Sequence, residues 1–320
     1  PLIDTSSATT LQQTWWKCNA MTTFPAIYTS SCTNFNTTWA SCFNLTEFPN
    51  IDTSLGLNFN QCWSACSGLT EFPALDFSSA TNLTRAWHQC TGLTWFPWID
   101  TSSNLTLSYT WYNCQALGTG SPGNSGGSPQ DDSFPLLDTS ACTNFEYAWY
   151  DCVGLTSFPP LDTSSVTNFS YAWRGCTGLT SFPTIDTSVA VQFHYTWYNC
   201  NSLTGAFQSL DTSRCTSLSN TWFNCSGITS FPLYDTSLVG IFDGAWRQCT
   251  GLTGAFPAIN TSSATSMQYT WLGCSGITSF SALDTSNVTR FDYTWQGMSS
   301  LTTFPTTLDV SSGQIFTYTF

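Results

Sequence analysis

Tryptophan recurs along this chain at an almost constant interval. Twelve tryptophans are separated by 24 residues, apart from two steps of 25 and one of 38. Around each one the sequence reads roughly A/T-W-x-x-C-x-x-L-T-S-F-P-x-L-D-T-S-S-x-T-N-F. Such repetition over 320 residues is typical of a solenoid, in which each coil packs only against its neighbours. The twelve are Trp15, Trp39, Trp63, Trp87, Trp111, Trp149, Trp173, Trp197, Trp222, Trp246, Trp271 and Trp295.

Apolar residues keep fixed places within each repeat. Leu179, Phe182 and Ile185 recur every three residues, and a second apolar set includes Phe169 and Trp173. One coil cannot bury these groups alone, but stacked coils share them in a continuous core. We therefore expect about 12–13 coils of 24–25 residues, each with a short parallel strand in the L-T-S-F-P-x-L segment. Proline within that segment keeps the strand short.

The long step before Trp149 comes from an insertion rich in Gly, Ser and Pro. It predicts a flexible surface loop at 118–133 within a single solenoid domain spanning 1–320. The stretch 123–127 matches G-x-S-x-G, but it lacks the strand–turn–helix context that a hydrolase nucleophile needs. We predict no enzyme activity.

Composition narrows the possible partners. Only 8% of the residues are charged, and six basic residues leave a net charge of −13. Such a surface cannot neutralise phosphates, so nucleic acid and anionic membranes are poor partners. Apolar runs are too short to span a membrane. The chain begins at Pro1, so we expect that a signal peptide has been removed or that the sequence is part of a longer protein.

The cysteine three residues after the tryptophan favours a structural role over a chemical one. It recurs in eleven coils, and Met298 takes its place in the twelfth, which suits a soft buried position. His88 and His194 occupy other repeat positions, so no metal-ligand spacing results. Buried thiols and disulfides both stay open; the candidate pairs are Cys32–Cys42, Cys142–Cys152, Cys215–Cys225 and Cys62–Cys66.

An aspartate opens the D-T-S-S phrase in eleven coils, as Asp162 does. Its carboxylate can accept hydrogen bonds from backbone N–H groups just ahead, as in an Asx-turn or a helix N-cap. The alternative is a ladder of carboxylates that binds Ca²⁺, which would relieve the repulsion between stacked like charges. We expect no other cofactor.

Asparagine, threonine and exposed aromatic residues are the candidates for surface chemistry. Rows of threonine raise an ice-binding alternative. Non-core aromatic residues raise binding to a receptor or glycan; these are Trp16, Trp95 and Trp98, with a tyrosine row at Tyr109, Tyr147, Tyr171, Tyr195, Tyr269 and Tyr293. Eight N-x-S/T sequons occur, and the candidate N-glycosylation sites are Asn36, Asn44, Asn82, Asn104, Asn168 and Asn287.

The first and last residues of the sequence are apolar, where solenoids usually carry polar caps. Complementary open ends would join head to tail into a filament. The alternative is that the sequence was cut from a longer repeat protein. The candidate assembly residues are Leu2, Ile3, Ile315, Phe316, Tyr318 and Phe320.

The unit A-W-x-x-C-x-x-L-T-S-F-P-x-L-D-T-S resembles the BspA-type leucine-rich repeat, in which phenylalanine usually stands where this chain has tryptophan. Ala148-Trp149, Cys152 and Leu155 show the pattern, and the phrase from Asp284 to Phe291 is similar to related surface-protein repeats. The resemblance covers nearly the whole chain. It implies a leucine-rich-repeat solenoid on cell surfaces, often in attachment, without catalytic residues.

From these features we predict an extracellular or cell-surface structural and adhesive repeat protein that is glycosylated and assembles with itself into a filament. The alternative is an adhesin or appendage module that binds a receptor or a glycan.

Overall fold

A computed structural model of the chain describes residues 3–120, 133–304 and 308–320. The chain divides into two compact units, Pro1–Ser165 and Val166–Phe320. Most of the predicted loop at 118–133, and all of the G-x-S-x-G match, lies outside the described residues. The single domain spanning 1–320 stays a prediction.

Successive coils pair in parallel within each unit, which confirms the predicted leucine-rich-repeat-like solenoid. In the first unit, single bridges join the coils, as between Asn34 and Asn58. The described part of the second unit adds four short strands: β1 (Gly205–Ala206), β2 (Ile228–Ser230), β3 (Gly254–Ala255) and β4 (Ile277–Ser279). β1 pairs with β2, and β3 with β4, both in parallel.

β2 and β4 lie in the segment where the repeat predicts a strand. β2 ends two residues before Pro232, which has no N–H to donate and therefore limits the ladder. Phe-Pro follows the same segment in most other coils, as at Pro49 and Pro183. The parallel pairing in this segment is consequently limited to two or three residues, whereas most of the described single bridges lie in the T-N-F phrase, as between Asn34 and Asn58.

Two coils of 25 residues carry the extra residue in the strand, where it forms an irregularity. Gly205 (φ 81°) and Gly254 (φ 77°) both adopt a left-handed conformation where the register shifts. No atom lies within 4 Å of the position that a Cβ would take at either glycine. The core is barely affected: ring centroids are 6.1 Å apart across the long step from Trp197 to Trp222, and 5.9 Å from Trp173 to Trp197.

The segment around each core tryptophan is a run of turns in which two residues per coil have positive φ. In the coil of Trp197 they are Tyr195 (57°) and Asn199 (62°). An L-residue adopts this region at a cost of roughly 1–2 kcal/mol. Each N–H gains a partner in the next coil: Tyr195 N donates to Ser219 O at 3.0 Å, and Asn199 N donates to Phe223 O at 2.8 Å. The hydrogen bonds between coils offset part of the backbone strain.

The tryptophans form a stacked column in the interior of each unit. Neighbouring rings within a unit lie 5.5–6.1 Å apart by centroid, with planes within 13°. Phenylalanine rings meet them edge to face, as Phe48 meets Trp39 at 4.8 Å and 77°. Such pairs contribute about 0.5–1.5 kcal/mol beyond burial. The repeating tryptophan is a packing element.

Candidate functional site

The cysteine after each core tryptophan is a hydrogen-bonded thiol. Cys225 Sγ donates to the carbonyl oxygen of Trp197 in the preceding coil, at 3.0 Å. Met298, which replaces the cysteine, is also buried. The same bond recurs within the units at 2.9–3.2 Å for Cys42, Cys66, Cys90, Cys114, Cys152, Cys200, Cys249 and Cys274.

All fifteen cysteines are free thiols in the structure. Cys32 Sγ is directed at Asn34 O (3.5 Å), whereas Cys42 Sγ is directed at Trp15 O. The structure thus shows the buried-thiol alternative. It contains none of the four disulfides considered from the sequence, Cys32–Cys42, Cys142–Cys152, Cys215–Cys225 and Cys62–Cys66.

Burial raises the pKa of most of these thiols and keeps them protonated; Cys42 is an exception, because a hydrogen bond with Cys66 lowers its pKa. Desolvation raises the pKa of Cys90 to about 12 and those of Cys142 and Cys215 to about 11. A protonated thiol is a poor nucleophile and a poor metal ligand at neutral pH. In the described part of the chain, no group of three or more His, Cys, Asp or Glu side chains is placed to hold a metal ion.

The aspartate of D-T-S-S forms the predicted turn. Asp162 Oδ1 accepts hydrogen bonds from Ser164 Oγ (2.7 Å) and Ser164 N (3.0 Å), and these bonds lower the pKa of the carboxyl group. Asn260 accepts the same pair of bonds from Ser262. The turn therefore works without a negative charge. Calcium binding at these aspartates stays a prediction.

The six candidate glycosylation sites differ in access. Asn44 and Asn287 are exposed, and Asn36, Asn82 and Asn168 are partly buried. Asn104 is only 1% exposed, and its Nδ2 lies in the interior without a hydrogen-bond partner. It occupies a core position where other coils place Ala, Val or Cys. Asn104 is therefore the only buried residue of the six, and glycosylation at all of them stays a prediction.

The threonine row that suggested ice binding is exposed, but its hydroxyls are used between coils. Thr46 Oγ1 donates to Thr22 O at 3.1 Å, and Thr302 Oγ1 donates to Thr278 O at 3.1 Å. The donors therefore point along the stack rather than at solvent. Ice binding stays a prediction.

The apolar residues considered for assembly lie at the surface of their units. Ile3 is 46% exposed in the first unit. In the second unit, Ile315, Phe316, Tyr318 and Phe320 are all at least 39% exposed. Leu2 lies outside the described residues.

The non-core tryptophans have different environments. Trp98 is 56% exposed and Trp16 is 45% exposed, with the Lys17 ammonium 4.2 Å from the Trp16 ring. Trp95 is partly buried, and its indole nitrogen is enclosed without a partner. Of these three tryptophans, only Trp16 and Trp98 have an exposed ring.

The predicted tyrosine row belongs to a wider set of stacked side chains at the surface. Its members stand two residues before or one residue after a core tryptophan, and nearly all are partly buried. In the first unit this set, here named the first strip, comprises Arg85, His88, Tyr109, Tyr112, Tyr147 and Tyr150. In the second unit the second strip comprises Tyr171, Arg174, Tyr195, Tyr198, Phe223, Arg247, Tyr269, Tyr293 and Tyr318.

The first strip has two parallel stacks. The Arg85 guanidinium lies 4.6 Å from the Tyr109 ring, which stacks on Tyr147 at 4.4 Å. The other stack, Tyr112 on Tyr150, has a centroid distance of 4.5 Å. Each residue therefore meets its counterpart in the next coil, as the core tryptophans do.

His88 continues the second of these stacks, with its ring 4.8 Å from Tyr112. Burial and the nearby Arg85 charge lower the pKa of His88 to about 4. The imidazole is consequently neutral at physiological pH, and Arg85 supplies the positive charge of this cluster.

The second strip contains a stack with a cation at each end. Arg174 lies 4.6 Å from the Tyr198 ring, Tyr198 stacks on Phe223 at 4.3 Å, and Phe223 lies 5.0 Å from Arg247. Tyr269, in the following coil, approaches the Arg247 guanidinium to 5.1 Å. Arg247 is thus held between two aromatic rings.

The sequence pattern named half of this arrangement. It identified the tyrosines two residues before tryptophan but not Tyr112, Tyr150, Tyr198 and Phe223 one residue after it. These four residues directly follow a core tryptophan, as Arg174 and Arg247 do. An alignment of that repeat position across the coils would have identified all of them.

One family matches the chain over more than half of its length. Its description is "Mycoplasma protein of unknown function, DUF285", and it matches residues 134–231 and 217–320. This match does not establish the resemblance to the BspA-type repeat, which stays a prediction. No curated protein matches the chain.

Several solved leucine-rich-repeat structures are similar to the chain at low identity. One from Bacteroides ovatus is 15% identical, covering 92% of this chain and 80% of its own, with a TM-score of 0.43. A leucine-rich cell surface protein from Faecalibacterium prausnitzii is 17% identical over 91% and 80%, with a TM-score of 0.42. An internalin from Listeria monocytogenes is 13% identical over 91% and 88%, with a TM-score of 0.31. Likenesses this weak say nothing of function.

Across the described ranges, the structure has no helix with the length and apolar character needed to cross a membrane.

Proposed function

The chain belongs to the DUF285 family of Mycoplasma proteins of unknown function, and from that premise we propose that it is an extracellular or cell-surface repeat protein with a structural and adhesive role. The observation that carries this function is the pair of strips. Each presents aromatic and cationic side chains on the outside of a stacked core. Tyrosine, tryptophan and arginine are the residues most enriched where proteins bind one another. No catalytic activity is assigned.

Rigidity supports an adhesive use of the strips. Each ring stacks on a ring of a neighbouring coil, as Tyr198 does on Phe223 at 4.3 Å and Tyr293 on Tyr318 at 5.3 Å. The side chains therefore lose little conformational freedom when a partner binds, which lowers the entropic cost of association. A solenoid also repeats the same chemistry from coil to coil, so that weak contacts add through multivalency.

An attachment assay tests adhesion. Beads coated with the protein are counted on cell layers and on immobilised mucin. We expect attachment to fall at least fivefold for Arg247→Gln combined with Arg85→Gln, because each change removes a strip cation. Arg214→Gln is the matched control, since Arg214 is an exposed arginine outside both strips. Equal attachment of strip variant and control would contradict adhesion through the strips.

Glycosylation and assembly are separate parts of the proposed function. Asn44 and Asn287 are the sites we assign first for N-glycans because they are exposed. Mapping of glycopeptides from the secreted protein should find them and not Asn104. An unmodified Asn44 and Asn287 in material from a glycosylating host would contradict this part.

Head-to-tail assembly draws its support from exposed apolar side chains, such as Ile3 in one unit and Phe316 and Phe320 in the other. Electron microscopy of concentrated protein should show filaments, and Phe320→Asp should shorten them. Short particles of uniform length at every concentration would contradict assembly.

A further inference from the structure

Half of the basic residues of this acidic protein lie on the strips. They are Arg85, Arg174 and Arg247, while Lys17 stands two residues after the core tryptophan Trp15, outside both strips. Of the other two, Arg290 lies beside Asp292, with Nε 3.9 Å from Oδ2, and Arg214 is exposed elsewhere. A net charge of −13 would otherwise repel an acidic ligand, so local charge on the strips is what permits one to approach.

Arg247 is prepared for an anion that the chain does not supply. Its guanidinium is held between Phe223 and Tyr269 at 5.0 and 5.1 Å. Among the described residues no carboxylate lies within 4.0 Å of it, although the chain has 19 acidic residues. Its Nε is buried and lacks a hydrogen-bond partner. With Nε enclosed, the terminal amino groups of the guanidinium are its means of contact with a ligand.

Planar N–H groups of this kind match a carboxylate. A guanidinium donates two parallel hydrogen bonds to the two oxygens of a carboxylate, and these charge-assisted bonds are about twice as strong as neutral ones. Because the flanking rings already fix the Arg247 plane, little side-chain entropy is lost on binding.

A second guanidinium sets a distance along the stack. Arg174 begins the column that continues through Tyr198 and Phe223 to Arg247, at 4.6, 4.3 and 5.0 Å. Three coil spacings separate the two cations, roughly 14 Å. A ligand that contacts both must therefore be a chain with carboxylates repeated along it.

Neutral amides flank this column. Asn199, Asn224 and Gln248 stand one residue further along each coil and have φ of 54–62°. Asn224 Nδ2 donates to Asn199 Oδ1 at 3.1 Å, which aligns the two amides along the stack. Amides and phenol groups pair with sugar hydroxyls, which an acidic peptide lacks.

We propose that the second strip binds a linear carboxylated polysaccharide, a chain of uronic acid units, through Arg174 and Arg247. This ligand class deepens the adhesive function proposed above and rests on it. The carboxylates meet the guanidinium groups, and the intervening hydroxyls meet the amides of Asn199, Asn224 and Gln248.

Biolayer interferometry with immobilised protein tests the ligand class, using polygalacturonate, dextran sulfate, neutral dextran and poly-glutamate of matched length at 50 mM and 500 mM NaCl. We expect polygalacturonate to bind tightest and to weaken with salt. Equal or tighter binding of dextran sulfate or neutral dextran would overturn the carboxylate assignment. Tighter binding of poly-glutamate would overturn the glycan in favour of an acidic protein partner.

Variants locate the site. Arg174→Gln and Arg247→Gln should each weaken binding of polygalacturonate about tenfold, and the double variant about a hundredfold, since each change removes a charge-assisted hydrogen bond. Arg247→Lys keeps the charge but loses the planar pair of donors, so a several-fold loss is expected. Arg214→Gln should bind as the unaltered protein does. Equal losses for Arg214→Gln and Arg247→Gln would overturn the site.

A thermal melt of each variant separates loss of binding from loss of folding, and the conservative Arg247→Lys variant provides a folded comparison. The bead assay then distinguishes the two levels of inference. Attachment that depends on Arg85 and Arg247 without binding of polygalacturonate would leave the adhesive function standing and overturn the ligand class. If attachment does not depend on Arg85 and Arg247 and polygalacturonate does not bind, both the adhesive function and the ligand class are overturned.

Discussion

The thiol of Cys225 donates its hydrogen to the carbonyl oxygen of Trp197, 3.0 Å away in the preceding coil. One residue of the repeated signature thus satisfies the backbone of its counterpart one coil earlier, and both side chains are fully buried. The pair is a structural link between coils rather than a reactive site.

Because the linked thiols are buried, we expect thiol reagents to react with one cysteine of the native protein and not with the other fourteen. Cys18 is the least buried of the fifteen, whereas the others are enclosed. In the native protein at pH 8, we expect a maleimide to label Cys18 alone within minutes, and all fifteen after denaturation. Intact mass reports the number of labels, and Cys18→Ser should abolish native labelling. Rapid labelling of several thiols would contradict the buried ladder.

Alkaline pH should destabilise the fold through the same thiols. The pKa of Cys90 is raised to about 12 from 9.0 by burial. Below pH 9 the thiol is protonated whether the chain is folded or not, so its contribution is intact. Between pH 9 and 12 only the unfolded chain ionises, and stability falls by up to about 1.4 kcal/mol per pH unit for each such thiol.

Denaturant titrations from pH 8 to 10.5 measure this fall. Cys90→Ala removes one titrating group, so its free energy of unfolding should decline less steeply with pH than that of the unaltered protein. Above pH 9, the slopes of the two plots of unfolding free energy against pH should differ by the equivalent of about one proton. Parallel curves would show that Cys90 does not titrate on unfolding.

The aspartate turn predicts a matched pair of substitutions. Asp76 Oδ1 accepts bonds from Ser78 Oγ at 2.6 Å and Ser78 N at 2.9 Å. Asp76→Ala loses both and should lower the free energy of unfolding by about 1 kcal/mol, as for a lost helix cap. Asp76→Asn should change it by only a few tenths, since Asn260 makes the same bonds with Ser262. A loss for Asn as large as that for Ala would mean that charge matters more than geometry.

The direction of the acid dependence follows from the same bonds. They lower the pKa of Asp76 in the folded chain. Its contribution is therefore present above the unfolded pKa, near 4, and is lost as pH falls through the folded value. Solvent exposure of the carboxylate keeps this contribution small. Melting temperatures of the unaltered protein and of Asp76→Asn should converge between pH 4 and 2.

The longer coils predict that one glycine is needed for its conformation alone. Gly205→Ala places a Cβ where no atom lies within 4 Å, so only the φ of 81° opposes it. We expect a loss of about 1 kcal/mol. Gly240→Ala is the control, because its Cβ would make ordinary contacts, the nearest at 3.5 Å to Ser263 O, without positive φ. Equal denaturation midpoints for the two variants would contradict this account.

The spacing of Trp, Cys and Leu predicted the coil length, the core column and the Asp162 turn, because each is repeated and local. The pairing was expected in the L-T-S-F-P-x-L segment, but most of the described single bridges, such as Asn168 to Gln192, lie in the T-N-F phrase instead. Residue preferences do not predict these turns, because a left-handed backbone is energetically unfavourable for tyrosine. Tyr195 adopts φ 57° because its N–H is bonded to the next coil, which no local pattern reports.

The candidate site was predictable only in part for a similar reason. A tyrosine that recurs predicts a row, but stacking depends on which neighbour stands one coil away. Tyr198 contacts Phe223 and Arg174 in one column. Because these residues are of different types, a search for a recurring residue does not reveal that they occupy the same repeat position. The burial of Asn104 could not be predicted from its sequon, because a sequon is defined by three residues whereas access to the side-chain nitrogen depends on the core around it.

The irregularity at Gly205 has a consequence for how such an array changes over generations. The extra residue is accommodated by the irregularity within the short strand. The tryptophan column keeps its spacing, with 6.1 Å between the rings of Trp197 and Trp222. Coils of different length are therefore interchangeable at the joints where they meet. Unequal recombination between repeats can then add, delete or swap coils, and surface side chains can be reshuffled into new orders upon an unaltered interior.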